Sequence, residues 1–297
     1  MAQKRELTKL VLENIRDFDI AAIFESGQCF RFSREPDGSY TGVISGCFAN
    51  ISYDNEEDIL TIWSDYMPKS EALSLRFWRN YFDLDRDYKE IKQELSDNDP
   101  VMERAILAGS GLRVLNQDPW ETLISFIISQ NSNIPRIRGC IEALCTRFGE
   151  KIGYFENREL FAFPTIKALA ASSEEELDSC KLGYRTQYIA ETARLVNIDG
   201  GAFLSAAGAA NTEKVEKYLL SLSGVGPKVA HCVMLFSLRK TEIFPIDVWV
   251  ARAMNRLYGI AENDHDAMRD YANRHFAQWG GIAQMYLFEY IRHNPEP

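Results

Sequence analysis

Two charged residues late in the chain stand where helices start, and their types could do chemistry together. Lys228 ends the turn SGVGPK and directly precedes the apolar run VAHCVMLF, while Asp247 opens DVWV after Pro245. The helix dipole disfavours an ammonium in a first turn, and this run is too apolar for a freely solvated face. We therefore interpret Lys228 as a partly desolvated amine nucleophile, against the simpler alternative of a snorkelling surface lysine. Asp247 can cap its helix and still offer a carboxylate to the same pocket.

The turn before Lys228 is rich in glycine. Gly224 and Gly226 flank Val225 and permit a tight helix-hairpin-helix, which we predict over 214–236. Unpaired backbone N–H groups at the start of the second helix could then hold a phosphate, although glycines that merely cap a helix would give the same pattern. Such a site matters because the net charge of -10 argues against nucleic-acid binding by bulk charge alone.

The elements that must position these residues form two regions. Short alternating runs from Phe24 to Trp63, separated by polar turns with glycine, predict an antiparallel sheet. From Lys69 onward, apolar residues at three- and four-residue spacing predict helices, and after LSDNDP we expect almost only helices. In DPWETLISFIISQ, Asp118 with the proline after it and Glu121 three residues on predicts a helix start.

Composition narrows the class of protein. A chain of 297 residues, 46% of them hydrophobic, can bury one large core or two smaller ones. No apolar signal region and no run near ~18 apolar residues is present, so we expect a cytosolic protein that does not use a membrane. The six cysteines lack any CxxC pair and the four histidines lack metal-ligand spacing. We therefore expect reduced thiols, with no zinc site and no iron–sulfur cluster.

Five segments, in order, resemble the eukaryotic-type 8-oxoguanine DNA glycosylase/lyases of the helix-hairpin-helix (HhH-GPD) superfamily. They are SGQCFRF (26–32), LRVLNQDPWETLISFIISQNSNIPRI (112–137), LGYRTQYI (182–189), LSGVGPKVAHC (222–232) with FPIDVWV (244–250), and AQMYLF (283–288). The resemblance implies an α+β fold, in which an N-terminal antiparallel sheet domain (1–110, TBP-like) packs on a helical HhH-GPD domain (111–297). It also implies a monomer that acts on duplex DNA containing 8-oxoguanine, in the cytoplasm at a bacterial nucleoid or in a eukaryotic nucleus.

The resemblance implies a mechanism for the pair of residues at the helix starts. Lys228 would attack the anomeric carbon as the damaged base leaves, and the resulting Schiff base would let the strand be nicked by β-elimination. Asp247 would stabilise positive charge on the sugar or orient the nucleophile, and the sequence does not separate these roles. No cofactor would be required, although family analogy allows a monovalent or alkaline-earth cation at the hairpin carbonyls near Gly224 and Gly226.

The resemblance also assigns residues to the extruded base. The backbone carbonyl of Gly27 would accept the N7 proton that 8-oxoguanine carries and guanine lacks. Cys232 and Phe288 would lie against the two faces of the base, and Gln284 would read its Watson–Crick edge. Without the resemblance, Cys232 and Phe288 would be interpreted as core residues, Gln284 as a surface amide and Gly27 as part of a turn.

Four further residues match family positions that touch the DNA beside the extruded base. Asn131 would enter the duplex, Arg136 and Arg185 would read the orphaned cytosine, and Tyr184 would act as a wedge. The rigid fork of an arginine suits the acceptor edge of cytosine. From the residues alone, the asparagine would be a turn residue and the arginines would lie on a solvated face.

One position departs from the family pattern, and two alternative functions stay open. Trp249 stands two residues after Asp247, where the relatives carry a histidine near the DNA backbone. Cys232 is the last cysteine of the chain, which argues against the branches that bind an iron–sulfur cluster near the C-terminus. The alternatives are an alkylated-base DNA glycosylase, a class that generally lacks the lysine, and a non-catalytic helix-hairpin-helix DNA-binding protein.

Overall fold

An antiparallel sheet forms the N-terminal part of the computed structural model, which describes residues 7–66, 70–97 and 99–294. The strand order is β1-β5-β4-β3-β2. The strands are β1 (Thr8–Leu12), β2 (Phe32–Arg34), β3 (Tyr40–Ile44), β4 (Cys47–Asp54) and β5 (Ile59–Ser64), with the short helix α1 (Ile20–Glu25) between β1 and β2. Ser45 and Gly46 both have positive φ, 49° and 74°, between the paired residues Ile44 and Cys47. Two such residues give the tight turn whose twist suits a β-hairpin.

Helices make up most of the remaining chain. They are α2 (Glu71–Tyr81), α3 (Tyr88–Ser96), α4 (Pro100–Ala108), α5 (Pro119–Ser129), α6 (Ile134–Phe148), α7 (Ile166–Ala171), α8 (Glu174–Asp178), α9 (Arg185–Asn197), α10 (Ala202–Ala206), α11 (Thr212–Leu220), α12 (Pro227–Leu238), α13 (Val248–Tyr258), α14 (His265–His275) and α15 (Gly280–His293). The predicted start of α5 is confirmed, because the Asp118 side chain accepts the Glu121 N–H at 2.8 Å and Pro119 occupies the first helical position. Within the described residues, no helix is long and apolar enough to cross a membrane.

A second, two-stranded sheet interrupts the helices, so the prediction of almost only helices was wrong at this point. It pairs β6 (Lys151–Phe155) with β7 (Arg158–Phe161). The N-terminal region packs against this hairpin. Phe48 of β4 stacks on Phe155 with ring centroids 4.9 Å apart, and Arg31, just before β2, donates to the Phe161 carbonyl at 2.6 Å. Contacts between residues so far apart in the chain leave no periodic signal in the sequence, which is why the pattern did not reveal this hairpin.

Two hydrophobic clusters divide the interior. One lies between the N-terminal sheet and α1 and α2, and includes Phe24, Tyr40 and Trp78. The other joins the helices from α3 to α15 and includes Tyr88 and Met102, which lie on α3 and α4. The predicted α+β arrangement of an antiparallel sheet followed by helices is therefore confirmed. The boundary at 110/111 stays a prediction, and α3 and α4, which precede it, pack with the helical cluster.

Candidate active site

Six residues that the sequence assigned to the reaction and to the base line one small pocket of about 60 Å³. They come from four separate parts of the chain and are Gly27, Lys228, Cys232, Asp247, Gln284 and Phe288. Gly27, Lys228, Asp247 and Phe288 also line a larger cleft of about 1010 Å³, whose wall includes Asn131. The fold thus places an amine, a carboxylate and an aromatic ring where a small pocket meets a wide cleft.

Lys228 lies in the first turn of α12, where its side chain crosses to α5. It is half-buried, its Nζ donates to the Ser129 hydroxyl at 3.3 Å, and the same atom lies 4.9 Å from the ring centroid of Phe126. The first bond is to a neutral acceptor, and the second contact is to the negative face of an aromatic ring. The amine is therefore held between α5 and α12 by partners that can release it to a substrate.

Asp247 caps α13 and lines the pocket at the same time. Its Oδ1 accepts the Val250 N–H at 2.8 Å, and its backbone is extended, as is usual for an N-cap. Because α12 and α13 both begin at the pocket, the amine and the carboxylate meet there although 18 residues separate them in the chain. The cap and the pocket carboxylate are one and the same group.

Cys232 lies one turn after Lys228 on the buried side of α12. Burial raises the pKa of its thiol to about 11, while nearby Lys228 lowers this pKa and nearby Asp247 raises it. A thiol with this pKa stays protonated at neutral pH, so Cys232 offers the pocket a soft, uncharged wall and not a second nucleophile.

Gln284 and Phe288 face the pocket from successive turns of α15. Gln284 is 5% exposed, and its Oε1 is buried without a hydrogen-bond partner among the described residues. A buried acceptor left unpaired costs roughly 1–3 kcal/mol. Such a cost is typical of a group that awaits a ligand, and the amide here lies four residues before a half-buried aromatic ring.

Gly27 sits in a left-handed turn that Gln28 holds rigidly. The φ of Gly27 is 81°, and a Cβ there would meet nothing within 4 Å, so the backbone angle and not space requires glycine. The buried Gln28 amide donates to the carbonyls of Ile23 and Arg113, both at 3.0 Å, and accepts the Leu115 N–H at 2.7 Å. No local signal in the sequence marks Gln28, because two of its partners, Arg113 and Leu115, lie more than 80 residues away.

The predicted helix-hairpin-helix is formed by α11 and α12. Gly224 has a φ of 71°, and a Cβ there would lie 2.4 Å from the ring of Tyr188, so both its angle and its packing need glycine. Val225 is buried, and its N–H donates to the Leu222 carbonyl at 3.2 Å within the hairpin. The first backbone hydrogen bond of α12 runs from the Ala230 N–H to the Gly226 carbonyl. The N–H groups that precede Ala230 in the helix are the donors best suited to a phosphate.

Two hairpin carbonyls already accept hydrogen bonds from side chains. Thr192 donates to Ser223 at 2.8 Å, and Gln130 donates to Gly224 at 2.9 Å. Each carbonyl oxygen has a second lone pair that one hydrogen bond leaves available. Among the described residues, no group of three His, Cys, Asp or Glu side chains could hold a metal ion.

The four residues expected to touch DNA are placed differently from one another. Asn131 is exposed at the end of α5 with a φ of 46°, and Tyr184 is 54% exposed. Arg185 is 3% exposed and donates four hydrogen bonds to the backbone carbonyls of Leu182, Gln130 and Asn131. Arg136 is exposed on α6 and is not among the residues that line the cleft. Asn131, Tyr184 and Arg185 therefore form one cluster, with Arg136 outside it.

The cleft carries a local positive balance that the total charge conceals. Its basic lining residues are Arg34, Arg138, Lys228 and Arg292, against the acidic residues Glu25 and Asp247. Trp249 lines the same cleft, 37% exposed, with the Arg252 guanidinium 5.3 Å from its ring centroid. The arginines come from three distant parts of the chain, so no sequence motif marks them. The acidic chain thus offers a basic surface at its cleft.

The chain is similar to known proteins along its length. Residues 10–123 match the model of the 8-oxoguanine DNA glycosylase N-terminal domain, and residues 124–278 match the model of HhH-GPD superfamily base excision DNA repair proteins. The structure superposes on that of MBOgg1, solved with a low-affinity DNA ligand, with a TM-score of 0.90, 38% identity and coverage of 100% of this chain and 99% of that one. It also superposes on the 8-oxoguanine glycosylase/lyase of Clostridium acetobutylicum, solved with double-stranded DNA containing cytosine opposite 8-oxoguanine, with a TM-score of 0.89, 34% identity and 99% coverage of each chain. A probable N-glycosylase/DNA lyase of Methanothermobacter thermautotrophicus is 29% identical over 94% of this chain and 95% of its own length.

Proposed function

Since the chain belongs to the 8-oxoguanine DNA glycosylase/lyases of the HhH-GPD superfamily, we propose that it excises 8-oxoguanine from duplex DNA through a Schiff base on Lys228. The observation that carries this proposal is the shared pocket, in which an amine and a carboxylate from two helix starts meet the groups suited to a flat, polar base. A base inside a duplex cannot reach such a pocket, so the nucleotide must first be extruded from the helix.

The covalent steps use the Lys228 amine. Its lone pair forms a bond to C1′ of the sugar while the bond from C1′ to the base breaks, and the electrons of that bond and an amine proton leave with the base. Opening of the bond from C1′ to O4′, with a proton added to O4′, then gives the Schiff base. Loss of a C2′ proton lets the bond from C3′ to its phosphate oxygen break, which nicks the strand.

Asp247 acts in the steps of this reaction that develop positive charge. Positive charge develops on the sugar as the base departs, and a fixed carboxylate nearby stabilises that charge. Its hydrogen bond to the Val250 N–H holds one oxygen in place, so the carboxylate needs little reorganisation. The alternative role, orienting the Lys228 amine, uses the same placement.

The pocket distinguishes 8-oxoguanine from guanine by hydrogen bonding. The Gly27 carbonyl accepts the N7 proton of the lesion, whereas guanine presents a lone pair there, and one such mismatch is worth about 1–3 kcal/mol. The unpaired Gln284 amide oxygen accepts from the Watson–Crick edge, and Cys232 and Phe288 lie against the faces of the base. Rigid support from Gln28 keeps the Gly27 carbonyl aimed.

The opposite strand is read by the cluster of Asn131, Tyr184 and Arg185 together with Arg136, which lies outside that cluster. Asn131 fills the space that the extruded base leaves, Tyr184 acts as a wedge, and Arg185 and Arg136 recognise the orphaned cytosine. Arg185 must exchange some of its bonds to backbone carbonyls for bonds to the cytosine. Equal excision rates opposite all four bases would contradict this assignment.

The site of action is wherever genomic DNA lies, either a bacterial nucleoid in the cytoplasm or a eukaryotic nucleus, and the protein acts as a monomer. No cofactor enters the steps above. A monovalent or alkaline-earth cation, when bound, would be held by the hairpin carbonyls near Gly224 and Gly226 and would supply positive charge beside a DNA phosphate. The amides at the start of α12 bind the same phosphate.

Borohydride trapping on a duplex with 8-oxoguanine opposite cytosine tests the proposal. The wild-type protein should form a covalent adduct, and Lys228→Gln should form none and lose about 1000-fold or more in excision. An adduct that survives Lys228→Gln would place the Schiff base elsewhere. Binding to the duplex without excision by the wild-type protein would leave a non-catalytic DNA-binding module.

A further inference from the structure

Gln130 links two parts of the site that lie far apart in the sequence. It follows the last residue of α5, and its side-chain amide donates to the Gly224 carbonyl of the hairpin at 2.9 Å and to the Ile127 carbonyl at 3.1 Å. The contact to Gly224 spans 94 residues of chain. One half-buried side chain therefore fastens the end of α5 to the turn that precedes Lys228.

The backbone of Gln130 is fastened as well, on the opposite side. Its carbonyl accepts from the Arg185 guanidinium, with Nε at 3.0 Å, and from the Tyr184 hydroxyl at 3.3 Å. Tyr188, on the same helix, packs against Gly224 so closely that a Cβ there would clash. The hairpin, the end of α5 and the start of α9 thus meet at one residue.

The neighbours of Gln130 make this junction important for the reaction. Ser129, directly before it, accepts the hydrogen bond from Lys228, and Asn131, directly after it, holds a left-handed φ of 46° at the cleft. A residue other than glycine keeps such an angle only where its surroundings impose it. Three consecutive residues therefore contact the nucleophile, the hairpin and the cleft.

We propose that Gln130 is a positioning residue, which sets the distance between the Lys228 amine and the Asn131 side chain through its bond to Gly224. This inference rests on the proposed function. Removing the amide leaves the Gly224 carbonyl without this donor and frees the hairpin to shift against α5. A displacement of about 1 Å can lower a chemical step about 100-fold without a comparable loss of binding.

The test compares two variants. Gln130→Met keeps the length of the side chain and lacks the donor, whereas Gln130→Glu places a carboxylate oxygen opposite the Gly224 carbonyl oxygen, so that two acceptors face each other. The control is Gln93→Met, because Gln93 is an exposed glutamine on α3 whose side chain, among the described residues, bonds only to Asp97, at 2.7 Å. Three quantities are measured: single-turnover excision of 8-oxoguanine opposite cytosine, the ratio of strand nicking to excision, and the Kd for a duplex with a tetrahydrofuran abasic analogue.

We expect Gln130→Met to lower excision about 10- to 100-fold and to change the ratio of nicking to excision, with the Kd for the abasic analogue within about threefold of the wild-type value. Gln130→Glu should lose more, and Gln93→Met should lose nothing. The ratio is informative even if a variant is less stable, because a smaller folded fraction lowers both rates equally.

Three results would overturn the proposal. These are wild-type excision by Gln130→Met, an unchanged ratio of nicking to excision, and a loss of affinity for the abasic analogue as large as the loss of rate. The last result would make Gln130 a direct DNA contact. The proposed function fails separately, since it fails only if the wild-type protein neither excises the base nor forms the borohydride adduct.

Discussion

The Lys228 amine donates to the Ser129 hydroxyl at 3.3 Å, from the first turn of α12 to the last turn of α5. A hydroxyl accepts this bond without forming an ion pair with the amine, so a substrate displaces it more easily than it would displace a carboxylate. Ser129 itself donates to the Phe126 carbonyl at 2.8 Å, so its oxygen is aimed at the amine. The arrangement orients the Lys228 amine without an ion pair.

Ser129→Ala should therefore slow the chemical step and spare DNA binding. We expect a loss of about 10-fold in single-turnover excision, with the Kd for an abasic-analogue duplex unchanged. Ser237→Ala is the matched control, since Ser237 makes a similar bond within α12, to the Val233 carbonyl at 2.6 Å. If Ser129→Ala excises at the wild-type rate, the hydroxyl does not orient the amine.

Asp247 can be tested by separating its cap from its charge. Asparagine is as good an N-cap as aspartate, so Asp247→Asn should keep the unfolding free energy and lose about 100-fold in excision, because the sugar cation loses its counter-charge. Asp247→Ala should lose activity and also about 1 kcal/mol of stability. Full activity of Asp247→Asn, measured beside urea unfolding of both variants, would show that the carboxylate is a cap alone.

The sequence predicted the local features of the site well and the distant ones poorly. The starts of α5, α12 and α13 follow from proline, glycine and aspartate within a few residues, so Lys228 and Asp247 could be found from local signals. Gly27, Gln284 and Phe288 carry no such signal and were reached only through the resemblance. Gln28, Ser129 and Gln130 were missed, because their roles depend on partners between 85 and 99 residues away. Secondary structure is local, whereas a pocket is a property of packing.

The partly buried ion pair of Glu121 and Arg31 should make stability depend on pH. Burial raises the pKa of Glu121 from 4.5 to about 7, while the Arg31 guanidinium, with Nη1 4.0 Å away, opposes the rise. The folded protein therefore keeps this proton to higher pH than the unfolded chain does, and the unfolding free energy should fall as the pH rises from 4.5 through 7. Because the Glu121 side chain is only 20% exposed, we expect an effect of about 2 kcal/mol.

Urea unfolding at pH 5 and pH 8 measures this effect. Glu121→Gln should remove the pH-dependent loss, so the difference between the two pH values should shrink by about 2 kcal/mol relative to wild type. Glu142→Gln is the comparison, because Glu142 lies 3.8 Å from the same arginine, is 58% exposed and raises the Glu121 pKa less than burial does, so it should remove a smaller part of the effect. An unchanged pH dependence in Glu121→Gln would assign the slope to other groups.

Substitution of Gln284 should affect the unfolding free energy and the excision rate in opposite directions. Its buried Oε1 has no partner among the described residues, so the free protein carries a desolvation cost that the base would relieve on binding. Gln284→Leu removes the unpaired acceptor at nearly equal volume, and the unfolding free energy should stay the same or rise by about 1 kcal/mol. Excision of 8-oxoguanine should fall about 10-fold or more, because the Watson–Crick edge loses its partner. A variant that is less stable yet fully active would identify Gln284 as a structural residue, and parallel measurements of unfolding and single-turnover excision decide between the two.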